Sequence, residues 1–219
     1  MKHDRRALLI NAGIELFSQS GFKKISVEEI SSHCGLSVGT FYKHFSSKEA
    51  FYETILEIIT REGIRKARRV VERLQSPVNQ FRGLYQFVVL GVRRYPILRG
   101  VLANDQRFLF PGIEHSCTSV ASMRAELQRM FNQIISDGAR RGIFRPGLYS
   151  DASVMVIALI ELVIINQERE QSEELAQDLL TLLQRGLRRA VRIPRPDELR
   201  DRRMLERYES EGPLPWLES

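Results

Sequence analysis

The chain has 219 residues, enough for one large or two modest domains with their own cores. Its 43% hydrophobic and 27% charged residues are ordinary for a globular protein, and a formal net charge of +6 permits binding to nucleic acid or an anionic surface without requiring either. Two cysteines, Cys34 and Cys117, make no disulfide framework, and the start of the chain is charged at Arg5 and Arg6 without an apolar signal segment. The longest apolar stretch, Val154 to Ile165, is interrupted by Glu161 and is too short to span a bilayer, so the expectation is a cytoplasmic protein with no membrane partner.

In chain order, apolar residues at Leu8, Ile10, Ala12, Ile14, Leu16 and Phe17 predict a helix that Gly21 ends. Ser26 followed by Glu29 is a capping box opening a short helix through His33, which Gly35 stops. Ser37 caps another short helix, Val38 to His44. Ser46 and Glu49 read as a second capping box, opening a long helix to about Gln75, with Pro77 just past its end. Further helices are expected at about 78–94, 97–108, 118–141, 151–168 and 173–192, with the turn Gly142 to Gly147 between two of them. No segment alternates with period two, so the fold class is all-α. The expected organisation is a helix-turn-helix domain at 1–48, a helical effector-binding and dimerisation domain at 49–193, and a charged extension at 194–219.

Three short helices in about 45 residues suit a helix-turn-helix unit. In the third, Phe41 and Phe45, spaced i and i+4, turn toward a core. Val38, Gly39, Thr40, Tyr42, Lys43 and His44 are left outward, offering close backbone approach and donors for phosphates. Lys48 stands in the first turn of the next helix, the wrong end for a cation beside the helix dipole, and a nearby phosphate would account for it. Periodicity and charge alone leave DNA binding and a plain solvated face equally open.

Residues 5–55 resemble the DNA-binding domain of the TetR family of one-component regulators. The matching strings run from Ile10 to Phe17, Gly21-Phe22, Ser26 to Ile30, Gly35 to Phe45, and Ser47-Lys48-Glu49. The resemblance implies phosphate contacts at Thr40, Tyr42, His44 and Lys48, and base-edge contacts at Glu28, Val38 and Gly39. These last lack the Arg, Gln or Asn of strong bidentate readout, so specificity leans on Tyr42, Lys43 and DNA shape. With the cap residues Ser26 and Ser37, they form the expected DNA-binding set.

Among the remaining residues, Cys34 reads as a small packing residue. His115 and Cys117 are two candidate ligands, which do not make a metal site. Glu161 in an apolar helix is either paired, with an arginine or across a dimer, or faces an effector, or is simply exposed. Aromatics from Phe81 to Phe131 are core residues that also suit an apolar pocket, and the expected pocket set is Tyr85, Tyr95, Phe108, Phe131 and Glu161. Asn104 to Arg107 form a polar cluster, on the surface or orienting a ligand. Two strongly apolar helices near the end exceed what one small core needs, which predicts a two-fold interface through Val154, Ile157, Leu175, Leu179, Leu183 and Leu187. The TetR resemblance implies the same use of the last two main helices.

No nucleophile elbow, His-Glu-x-x-His or phosphate-cradling loop occurs, and the four His are dispersed, so neither an enzyme nor a cofactor or metal is expected. The expected function is a homodimeric repressor of a palindromic double-stranded DNA operator, released by a small, mostly apolar effector. A cationic group on that effector is favoured if Glu161 faces the pocket. The alternatives are a ligand-responsive activator, or a helical adaptor or membrane-surface protein using the basic run Arg65 to Arg69.

Overall fold

A computed structural model describes residues 4–110, 118–145, 152–165 and 172–187. Among them are nine helices: α1 (Arg5–Ser20), α2 (Val27–His33), α3 (Val38–His44), α4 (Lys48–Arg73), α5 (Pro77–Arg94), α6 (Pro96–Leu102), α7 (Thr118–Arg140), α8 (Ala152–Ile165) and α9 (Ser172–Leu187). No strand occurs among the described residues, as the all-α reading expects. His115, Cys117, the end of the turn at Gly147, the last residues expected in the final helix and the 194–219 extension lie outside the described residues.

The chain divides into two compact units, the first made of Met1–Glu62 with Val92–Met123 and the second of Gly63–Gly91 with Arg124–Ser219. Helix α4 is continuous and contributes to both.

In the first unit, Asp4 caps α1 by accepting from the Arg6 amide at 3.0 Å. The core is aromatic. Phe17, Phe41, Phe51 and Tyr52 are fully buried, and their rings meet edge-on or tilted, Phe17 on Tyr52 at 5.0 Å and Phe41 on Phe51 at 5.1 Å. The cap of α4 differs from the expected one. Ser47, not Ser46, accepts from a helix amide, that of Ala50, at 3.1 Å. Helix α6 is also shorter than the expected 97–108, because Phe108 folds back onto Gly100. A Cβ at Gly100 would lie 2.1 Å from the Phe108 ring, and Asn104 turns the chain with φ of +53°. Asp105 then receives the Arg107 amide at 2.9 Å and its guanidinium at 2.6 Å, which holds its carboxyl below the usual range. The polar cluster is thus a closed local turn.

In the second unit, Phe81 of α5 meets Phe131 of α7 edge-on at 5.3 Å, and both are fully buried. The Tyr85 hydroxyl donates to the Ala176 carbonyl of α9 at 2.9 Å, and burial pushes its pKa up to about 12. At the end of α4 the Val71 carbonyl accepts the Leu74 amide at 3.2 Å, and the Gln80 side chain donates to the Val71 and Leu74 carbonyls at 3.2 and 2.8 Å. Arg68 and Arg129 both pair with Glu126. No helix among the described residues is long and apolar enough to cross a membrane.

Candidate nucleic-acid interface

The candidate interface is built by two short helices whose ends are fixed locally. Ser26 and Glu29 exchange hydrogen bonds, Glu29 N to Ser26 Oγ at 3.1 Å and Ser26 N to Glu29 Oε2 at 2.8 Å, as the sequence predicts. The turn after α2 closes with the Leu36 amide donating to the Ser31 carbonyl at 2.9 Å and Gly35 in the left-handed region at φ of +65°. Ser37 Oγ accepts from the Thr40 amide at 3.2 Å and lies 3.0 Å from Thr40 Oγ1.

With both ends fixed, α3 splits by face. Phe41 and Phe45 are buried and pack on Phe51, Phe45 at 4.6 Å between ring centres. Gly39, Tyr42, Lys43 and His44 are exposed, and Val38 and Thr40 are half-buried. The Tyr42 ring stands edge-on to Phe41 at 5.4 Å, yet the residue is 54% exposed, so its hydroxyl end is presented outward on a braced ring. Glu28 and Ser37 are also exposed, and Ser26 is half-buried at its cap. A small residue, hydroxyls, a lysine and an imidazole on one surface suit a phosphate backbone better than any substrate pocket.

Lys48 is placed differently from the expectation. Its ammonium donates to two carbonyls of the α1–α2 turn, Phe22 O at 3.1 Å and Ile25 O at 2.9 Å, and sits over the Phe22 ring at 4.1 Å. The unfavourable helix dipole is offset from within the protein.

The expected pocket residues are not gathered in one unit. Tyr95 and Phe108 belong to the first unit, while Tyr85, Phe131 and Glu161 belong to the second. Tyr85, Phe108 and Phe131 are core residues, and the Tyr85 hydroxyl is engaged by Ala176. Glu161 is paired with Arg124 at 2.6 Å, the arginine pairing that the sequence left open. Cys34 is half-buried as a packing residue, its thiol 3.5 Å from the Leu8 carbonyl and pushed up by burial. Among the described residues no three His, Cys, Asp or Glu side chains are grouped to hold a metal.

The expected interface helices, α8 and α9, leave an apolar face uncovered in the second unit. Val154 is exposed and Leu175, Leu179 and Leu183 are half-buried. Ile157 and Leu187, by contrast, are buried within the protomer. Met155, Leu162 and Leu182 were missed, and they are 63%, 48% and 64% exposed. For Met155 and Leu162 the reason is that α8 is apolar on all sides and carries no stripe to mark which residues turn outward.

Residues 9–55 match the model of the family described as bacterial regulatory proteins, tetR family. Over 72 residues the chain is 35% identical to the HTH-type transcriptional regulator YerO of Bacillus subtilis, a match covering 33% of this chain and 25% of YerO. It is 20% identical over 149 residues to the HTH-type transcriptional repressor KstR2 of Mycobacterium tuberculosis, covering 68% of this chain and 74% of KstR2. The fold is that of a TetR transcriptional regulator from Chloroflexus aurantiacus, with a TM-score of 0.68 at 20% identity, covering 84% of this chain and 96% of that one. It is also that of the regulator FadR of Bacillus subtilis, solved with stearoyl-CoA, with a TM-score of 0.61 at 17% identity over 84% of this chain and all of that one. The match to the tetR family model thus spans most of α1, all of α2 and α3 and the beginning of α4, where the chain is similar to that family.

Proposed function

We propose that this protein is a transcription repressor that binds a palindromic operator as a homodimer and releases it on binding a small, mostly apolar effector. The observation that carries the reading is α3: a short helix capped at Ser37, anchored by Phe41 and Phe45, with Thr40, Tyr42, Lys43 and His44 left on the side away from the core. Such a helix fits the major groove with its first turns at the base edges. Ser26, Glu28, Ser37, Val38 and Gly39 complete the DNA-facing set. The division of labour follows the sequence: reading by 1–48, sensing and pairing by 49–193.

The two-fold partner meets the α8–α9 face through Val154, Leu175, Leu179 and Leu183, extended by Met155, Leu162 and Leu182. For the effector, solved neighbours of the same fold hold acyl-CoA thioesters, stearoyl-CoA in one and isovaleryl-CoA in another. An acyl thioester is therefore the first compound class to test, with Tyr85, Tyr95, Phe108 and Phe131 as the aromatic residues to vary and Glu161 as the polar one.

The test is selection of a duplex from a randomised pool, followed by affinity against salt. Binding that weakens steeply with salt, on a sequence of two-fold symmetry, is expected. Equal affinity for every duplex, or binding to anionic vesicles in preference to DNA, rejects the reading.

A further inference from the structure

We infer that Lys48 is a positioning residue of the DNA-reading head rather than a phosphate contact: together with the segment Arg107–Phe110 it clamps the α1–α2 turn. The inference rests on the DNA-binding reading above.

The turn Gly21–Ile25 is held at almost every residue. Gly21 has φ of +79° and ψ of 173°, a conformation close to glycine-only, and its amide donates to Phe17 O at 2.9 Å. A Cβ at Gly21 would lie 2.5 Å from Arg107 O, so the two backbones touch. The Lys23 amide donates to that same Arg107 carbonyl at 3.4 Å. The Phe22 ring rests on Phe110 at 4.9 Å and on Tyr52 at 5.1 Å. Tyr52, fully buried, donates its hydroxyl to Phe108 O at 3.0 Å, which fixes the segment to α4. The Lys48 ammonium adds a further hold, on Phe22 O and Ile25 O with its charge over the Phe22 ring.

The next residue after Ile25 is Ser26, the cap of α2, and α2 leads through one short turn into α3. A turn held by both Lys48 and the 107–110 segment therefore sets where α2 begins and, through it, how α3 is presented. An ammonium has three N–H donors. In Lys48 two of them serve carbonyls that would otherwise be left in a part-buried turn, so removing the ammonium strands both carbonyls and loosens the turn.

The experiment compares the unmodified protein with Lys48→Met, which keeps the stem and removes the charge, and with Tyr52→Phe, which removes only the hydroxyl. Each is titrated against a duplex selected from a randomised pool by the unmodified protein, across a range of salt. Amide hydrogen exchange is followed by mass spectrometry over residues 21–26. The expected result for both variants is affinity lower by about tenfold, equivalent to about 1.4 kcal/mol, with the slope of affinity against salt unchanged. Exchange should quicken in residues 21–26 and not around Phe41. A slope lowered by about one in Lys48→Met marks a phosphate contact and overturns the inference. So does unaltered affinity, or unaltered exchange in the turn. Should Lys48→Met fail to fold, Tyr52→Phe decides alone: unchanged affinity or unchanged exchange in that variant overturns the clamp. Duplex binding without salt dependence in the unmodified protein rejects the DNA-binding reading itself, and this inference with it.

Discussion

Gly21 and the carbonyl of Arg107 lie so close that a Cβ on the glycine would come within 2.5 Å of the carbonyl oxygen. Neither side of this contact is a movable side-chain end, because both are backbone. Gly21→Ala should therefore cost about 2–4 kcal/mol, combining the glycine-only backbone conformation with displacement of the 107–110 segment. Denaturant unfolding checks it, and a loss below about 0.5 kcal/mol would show that the segment yields freely.

Tyr42 is more exposed than any other aromatic side chain of the reading head described here, and its ring is braced by Phe41. Tyr42→Ala should leave stability within about 0.5 kcal/mol and weaken binding of the selected duplex by about tenfold. Fluorescence anisotropy measures the second quantity. Unchanged affinity removes Tyr42 from the interface.

The exposed leucine on α9 gives the sharpest test of pairing. Leu182→Glu should convert a dimer into monomers, since a charge buried unpaired in an apolar interface costs about 3–5 kcal/mol. Leu187→Glu should instead destabilise the protomer itself, because Leu187 is buried within its own unit. Sedimentation of the two variants separates these outcomes, and persisting dimers in Leu182→Glu would put the interface elsewhere.

Asp105 supplies a prediction in pH. The Arg107 guanidinium and amide hold its carboxyl below the usual range. A depressed folded-state pKa contributes stability that is complete above the ordinary carboxylate range, near about pH 4, and is lost as pH falls through the folded value. The stability difference between the unmodified protein and Asp105→Asn should be constant near neutrality and shrink below about pH 4. Urea midpoints measured from pH 3 to 7 test this; a difference that stays flat throughout would mean the pairing adds nothing.

What the sequence made legible was local. Ser26 with Glu29, Ser37 with Thr40 and the Phe41–Phe45 spacing each act within four residues, and the structure holds all of them. The cap of α4 slipped by one residue because Ser46 and Ser47 are adjacent and either can serve. The expected helix ran on through the polar stretch Asn104 to Arg107, where the chain instead turns at Asn104 and Phe108 folds back onto Gly100, a contact that a local pattern does not mark. Partners distant in sequence were hidden altogether: Arg124 for Glu161, Phe108 for Tyr52, and the turn carbonyls for Lys48. On α8 the inward Ile157 and the outward Met155 are both apolar, so hydrophobicity could not sort them.

The division of the first unit into two separated stretches has a consequence for how the molecule is made. Phe22 and Tyr52 find Phe110 and the Phe108 carbonyl only after a detour through α5 and α6. During synthesis at about 5–20 residues per second, the reading head leaves the ribosome with an aromatic flank still bare. That flank stays uncovered for seconds, until residue 110 has followed it out of the exit tunnel. A nascent chain stalled before that point would carry this apolar flank exposed to solvent.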